Sequence, residues 1–208
     1  MKYTVVTGDI ANFTMVAVDK RADLIDRTSA LFKSWVLHQE YAEIFRGDSF
    51  QLLFDNVAEA LKRSLQIRCW FKSYAHDAEN EGLDARLSIG IGEVAYFGRS
   101  VLDTDGEAFH LSGRAFDDMK ASQNYFQVST NDPQLNEQLS IILSLVNIIV
   151  GQWTKNQAEV IFLLLEGKTQ QEMADELKIG QSAVNNRIKL ARWKEIDKTM
   201  RYIASLIS

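Results

Sequence analysis

The stretch from Gly167 to Arg187 constrains this chain more than any other, because it spells two short helices with almost no room between them. Thr169 is placed to cap the first helix, and Glu172, three residues on, can return the bond. That reciprocal pair satisfies orphan N–H groups at a helix start. Met173, Ala174, Leu177 and Ile179 form one apolar set, and Val184 with Ile188 the next. Gly180 fits a turn position that needs positive φ, and Ser182 is available to cap the second helix. Upstream, residues 153–165 read as a supporting helix, capped by Thr154 and ended at Gly167. Three helices are the fewest that bury the apolar faces of such a pair.

The outer face of the second helix carries Gln181, Ser182, Asn185, Asn186, Arg187 and Lys189. Gln and Asn can pair with adenine edges, while Ser, Lys and Arg reach phosphates or guanine, so DNA is the expected partner of these six residues. From Gly180 to Arg201, six basic residues stand against two acidic ones. The segment from about Trp153 to Arg192 resembles the helix-turn-helix of sigma-factor region 4 and of response-regulator output domains. The alternative is a helical hairpin used for packing or dimerisation. A homodimer is expected, since one short recognition helix rarely gives enough specificity alone.

Charge divides the chain. Residues 151–208 hold nine Lys/Arg and seven Asp/Glu, whereas residues 1–150 hold 14 and 21. An acidic front half is a poor nucleic-acid binder and suits a regulatory or catalytic unit. A single cysteine, Cys69, excludes an internal disulfide and sits in an apolar helical pattern. No signal-peptide order opens the chain and no apolar run is expected to span a membrane, so the expected location is cytoplasmic.

In the front half, residues 3–7 form a β-branched run, 22–39 and 57–74 show helical spacing, and 43–54 read as two strands around a Gly47-Asp48 turn. Residues 86–93 alternate Leu87, Ile89 and Ile91 with Ser88, Gly90 and Gly92, and the small face leaves room for another backbone or a ligand. A helix over 107–121, a strand over 126–129 and a helix over 135–150 follow. The expected fold is α+β: a ferredoxin-like β-α-β-β-α-β domain over 1–150, an antiparallel sheet with helices on one face, then an all-α helix-turn-helix domain over 151–208.

Two carboxylates stand out. Asp9 ends the first strand and Asp48 sits in the hairpin turn, and this arrangement lets the two approach and share a Mg²⁺. The plainer reading is that Asp after Gly caps a turn. His38, His76 and His110 are scattered, which argues against zinc. Glu107, His110 and Arg114 share one helical face, where the choice lies between an ion-pair network and a phosphate contact by Arg114. Gly167-Lys168-Thr169 follows a helix rather than a strand and is not a phosphate loop.

The run from Gly8 to Thr14 resembles the opening motif of class III nucleotide cyclases, and Arg46-Gly47-Asp48 resembles their hairpin. Gly106 to Arg114 is similar to the start of a later helix in that family. The resemblance implies a cyclase-like fold, metals at Asp9 and Asp48, and a ligand site that includes Gly47, His110 and Arg114. It departs at Asn12, where the family has Gly, at Ile44, where it reads the purine with Lys, and at His110, where it has Asn. These departures leave metal–phosphate binding standing and remove the support for cyclisation. A resemblance over nearly the whole chain is to the SatD family, carried by Thr7 to Ile10, Gly47 to Gln51, Arg86 to Glu93 and Asp105 to Phe109. Ser49 departs from the glutamate usual in that family's hairpin. The expected function is therefore a DNA-binding regulator whose front domain senses a nucleotide or other phosphate ligand. Two alternatives are a nucleotide-acting enzyme localised by its helix-turn-helix, and a protein-interaction module.

Overall fold

The computed structural model describes residues 2–74, 82–122 and 124–207. Its central strand is β1 (Lys2–Ala11), flanked on one side by the hairpin β2 (Ala42–Phe45) and β3 (Ser49–Phe54) and on the other by β4 (Asp84–Tyr96). Both neighbours of β1 run antiparallel to it. Beyond β4 the sheet divides: β5 (Asp105–Gly106) pairs its end, and β6 (Phe126–Ser129) runs parallel to its first half. The parallel pair departs from the all-antiparallel sheet expected, because a helical crossover of about a dozen residues or more, here α3 (Glu107–Ser122), separates β4 from β6.

Helices cover both faces of the sheet, not one. Val6, Ile10, Leu52, Leu87, Ile89 and Ile91 point to a core shared with α1 (Val18–Lys33), α2 (Val57–Ser73) and α4 (Pro133–Gly151). On the opposite face α3 packs its Ala108 and Phe109 against Val5 and Leu53, joined by Val101 from the turn before it. The small face of β4 is what admits it. A Cβ on Gly90 would lie 2.1 Å from the Ala108 carbonyl oxygen, and one on Gly92 would meet Glu107 at 2.6 Å. The space left by these glycines therefore holds a helix.

The C-terminal helices are α5 (Lys155–Leu165), α6 (Gln170–Leu177), α7 (Gln181–Leu190) and α8 (Trp193–Ile207). Both capping boxes are formed, Thr154 with Gln157 and Thr169 with Glu172. The turn between α6 and α7 differs from expectation. Lys178 takes the left-handed conformation at φ 54, while Gly180 is extended at φ −73 and heads α7 without a side-chain cap. Met173, Ala174 and Val184 close a small core with Val160 and Leu163 of α5.

This small core is attached to the large one. The main apolar cluster runs from the sheet through α2 into Leu143, Ala158, Ile161, Ile196, Met200 and Ile203. Trp70 of α2 meets Phe162 of α5 with ring centroids 5.9 Å apart, and Gln66 donates to Glu166 at 2.5 Å. Contrary to the expectation that no run is long enough, α4, at 19 residues, is by length and composition capable of crossing a membrane. Its composition comes from two apolar faces. Leu139, Leu143, Val146 and Val150 enter the core, and Ile141, Leu145 and Ile148 stay exposed.

Candidate functional site

The α3 face of the sheet carries a polar strip. Asp9 of β1 pairs in register with Arg86 of β4 on one side and Ser49 of β3 on the other. Arg86 donates from Nε to Asp9 Oδ1 at 2.8 Å and from Nη2 to Oδ2 at 2.5 Å. Two parallel bonds of this kind fix a guanidinium in the carboxylate plane. The bond to Asp9 raises the Arg86 pKa, and Asp48 adds to the effect through its charge. One pair further along β1, Gln51 donates to Thr7 Oγ1 at 3.1 Å, and Thr7 shares a hydrogen bond with Ser112 of α3 at 3.0 Å. Ser88 completes the strip by donating to the Ser112 carbonyl at 2.7 Å.

The hairpin brings Asp48 to the same end. The Ile10 amide donates to the Asp48 carbonyl at 3.0 Å, next to Asp9. Arg46 and Gly47 carry positive φ, 54 and 89 degrees, and turn the chain so that Asp48 arrives there. Asp9 binds Arg86 directly, with Asp48 near enough to act on it by charge. Each Asp9 oxygen accepts one N–H from Arg86, so a Mg²⁺ at Asp9 would share the carboxylate with the guanidinium or displace it. His110 is exposed and lies 3.2 Å from Asp105, and Arg114 is exposed further along α3. Among the described residues no hydrogen bond or ion pair joins either of them to Asp9 or Asp48. His38 is exposed and meets Tyr41 edge to face, and His76 lies outside the described residues.

On α7, Gln181, Ser182, Asn186 and Lys189 are exposed, while Asn185 and Arg187 are half-buried. Arg187 lies 3.7 Å from Glu159 of α5, so part of its charge is spent within the protein. Val184 points the other way and is fully buried. Arg192, Lys194 and Lys198 are exposed beyond the helix.

A second charged group escaped the sequence reading. Arg68 of α2 is 1 % exposed and holds Asp84 by Nε at 2.9 Å and Nη2 at 2.7 Å. Lys72 reaches Asp84 at 3.2 Å and the Gly151 carbonyl, at the end of α4, at 3.0 Å. Burial pushes the Asp84 carboxyl up, but the Arg68 charge and bonds, Lys72 and the Ala85 amide outweigh it and hold the group below its usual range. A buried arginine has to find a carboxylate. That rule is the one signal in the sequence, and it does not choose among 28 acidic residues. Next to it Cys69 is buried, as its apolar pattern implied, and burial pushes its thiol up.

A family model described as SatD family matches residues 3–207. No curated protein matches the chain. Among solved structures, the active GGEEF domain of a diguanylate cyclase from Vibrio cholerae is similar at 19 % identity and a TM-score of 0.44, over 64 % of this chain and 84 % of that one.

Proposed function

The chain belongs to the SatD family, and on that premise we propose that it is a cytoplasmic DNA-binding transcriptional regulator whose N-terminal unit senses a nucleotide or other phosphate ligand. The observation that carries the reading is α7. It buries Val184 against α5 and α6 and turns Gln181, Ser182, Asn186 and Lys189 to solvent, as base and phosphate contacts require. The exposed cations after it extend that surface within a chain whose net charge is −5. A homodimer would present two such helices, and the exposed Ile141, Leu145 and Ile148 of α4 offer it an apolar face.

Binding is favoured over turnover because Asp9 already holds a guanidinium where a catalytic metal would need its oxygens. Selection of genomic fragments with the purified chain at low salt tests the reading. Enrichment of a common sequence is expected, and its loss in a Gln181→Ala/Asn186→Ala/Lys189→Ala variant. No enrichment by the wild-type chain would sink the regulator.

A further inference from the structure

A cleft of about 770 Å³ opens between α2, β4, α4 and the start of α5, walled by Arg68, Lys72, Asp84, Tyr125, Trp153 and Lys155. We propose that this cleft binds a nucleoside phosphate. The site gives the sensing half of the reading above a location and rests on that reading for its role.

Charge is the first argument. Among the residues that line the cleft are three cations, Arg68, Lys72 and Lys155, and one carboxylate, Asp84, in a protein that is acidic overall. Lys155 is half-exposed at the rim of the cleft, and its charge partner among the described residues is Glu159 at 3.9 Å. Asp84 offsets one of the two cations that hold it, Arg68 and Lys72, so the cleft keeps a positive charge that an entering anion would balance.

Unspent donors are the second. A guanidinium has five N–H groups. Among the described residues Arg68 uses three, two on Asp84 and one on Asn147 Oδ1 at 3.1 Å. Lys72 uses two of its three, on Asp84 and Gly151. Every nitrogen of Arg68 has a partner, and the N–H groups left over on Arg68 and Lys72 are free to take a further acceptor. The first turn of α5 adds orphan amides at Lys155 and Asn156, since the Thr154–Gln157 box satisfies only its own two.

Flat surface is the third. Tyr125 lies beneath the Arg68 guanidinium at 5.4 Å and is half-buried, while the Trp153 indole is 5 % exposed, held in the core by its bond to the Ala191 carbonyl at 2.9 Å, and only borders the cleft. A ring against Tyr125 and a phosphate on the cations together describe a nucleotide. Such a ligand would touch α2 and the start of α5 at once, and so bias how the C-terminal helices sit on the sheet unit.

Calorimetry on the full chain with AMP, GMP, CMP and UMP, with the matching nucleosides and inorganic phosphate as controls, reads the site. At least one monophosphate is expected to bind, more tightly than its nucleoside and than phosphate. Lys155→Glu, a surface change, is expected to weaken it about tenfold or more, as is Lys72→Gln. Binding by none of the four overturns the proposal. So does binding that Lys155→Glu leaves unchanged, or that Asp48→Ala abolishes, which would move the site to the hairpin. The DNA selection is read separately, so nucleotide binding without DNA binding keeps this site and sinks the regulator, and the reverse result does the opposite.

Discussion

Arg86 holds Asp9 by both carboxylate oxygens from the strand position directly opposite it. The pair spans two strands of one sheet, and Asp48 stands near enough to add its charge. A resident guanidinium thus does the charge balancing that a divalent ion would do between two aspartates.

Removing that cation should therefore create an affinity for metal. Arg86→Gln leaves Asp9 and Asp48 close together without a counter-charge. Its melting temperature is expected to rise with Mg²⁺, corresponding to about 1–3 kcal/mol near saturation, while the wild type responds only as it does to ionic strength. An equal Mg²⁺ response in both proteins would refute the substitution of guanidinium for metal.

Asp84 should dominate the acid limb of stability. Its folded pKa is held below the unfolded value, so its contribution is complete above about pH 4 and is lost as pH falls through the folded pKa. Asp84→Asn leaves Arg68 buried without its charge partner and is expected to cost about 3–5 kcal/mol at neutral pH. Urea melts across pH 2–7 check both points. The variant's stability should change less than the wild type's below about pH 4.

Two glycines in contact with or within α3 should behave oppositely. Gly90→Val drives a side chain into the Ala108 carbonyl and Ser112 and is expected to cost about 3 kcal/mol or more. Gly113, inside α3, has nothing within 4 Å of an added Cβ. Gly113→Ala is expected to gain about 0.5–1 kcal/mol from helix propensity and a stiffer unfolded chain.

On α7 the polar residues should separate by role. Lys189→Ala is expected to weaken DNA binding uniformly and lower the salt slope by about 1. Gln181→Ala and Asn186→Ala should each relax discrimination by about 1–3 kcal/mol at a single base pair. Arg187→Ala is expected to cost less than about 1 kcal/mol of stability, because its pair with Glu159 is partly solvated. Salt-dependent titrations against a selected site distinguish these outcomes.

The α4 stripe is tested by Leu145→Glu. If two copies meet there, sedimentation should show a dimer in the wild type and a monomer in the variant, with the helical content unchanged. A monomeric wild type would remove the dimer from the functional reading.

Local chemistry was legible in the sequence because its partners are three or four residues apart. Thr154 and Thr169 announced their helices for that reason. Arg86 was not legible as the partner of Asp9, since 77 residues separate them and only strand register joins them. The side of the sheet taken by α3 was half-written: the small face of β4 allowed a helix or a ligand, and packing decided. Lys178 hid the turn because a lysine rarely accepts the left-handed conformation that the sequence had reserved for Gly180. The Arg68–Asp84 pair was invisible because nothing in a helical pattern says that an arginine faces inward.

The burial shared by α2 has a consequence for synthesis. Its outer side is covered by helices made after α4, from Lys155 to Ile207. At the usual pace of translation, roughly 5–20 residues per second, a nascent chain that has completed α4 waits for some seconds with Leu61, Leu65 and Trp70 uncovered. An apolar face exposed for that long is the kind a chaperone binds, and truncation between α4 and α8 is expected to leave the front half prone to aggregate.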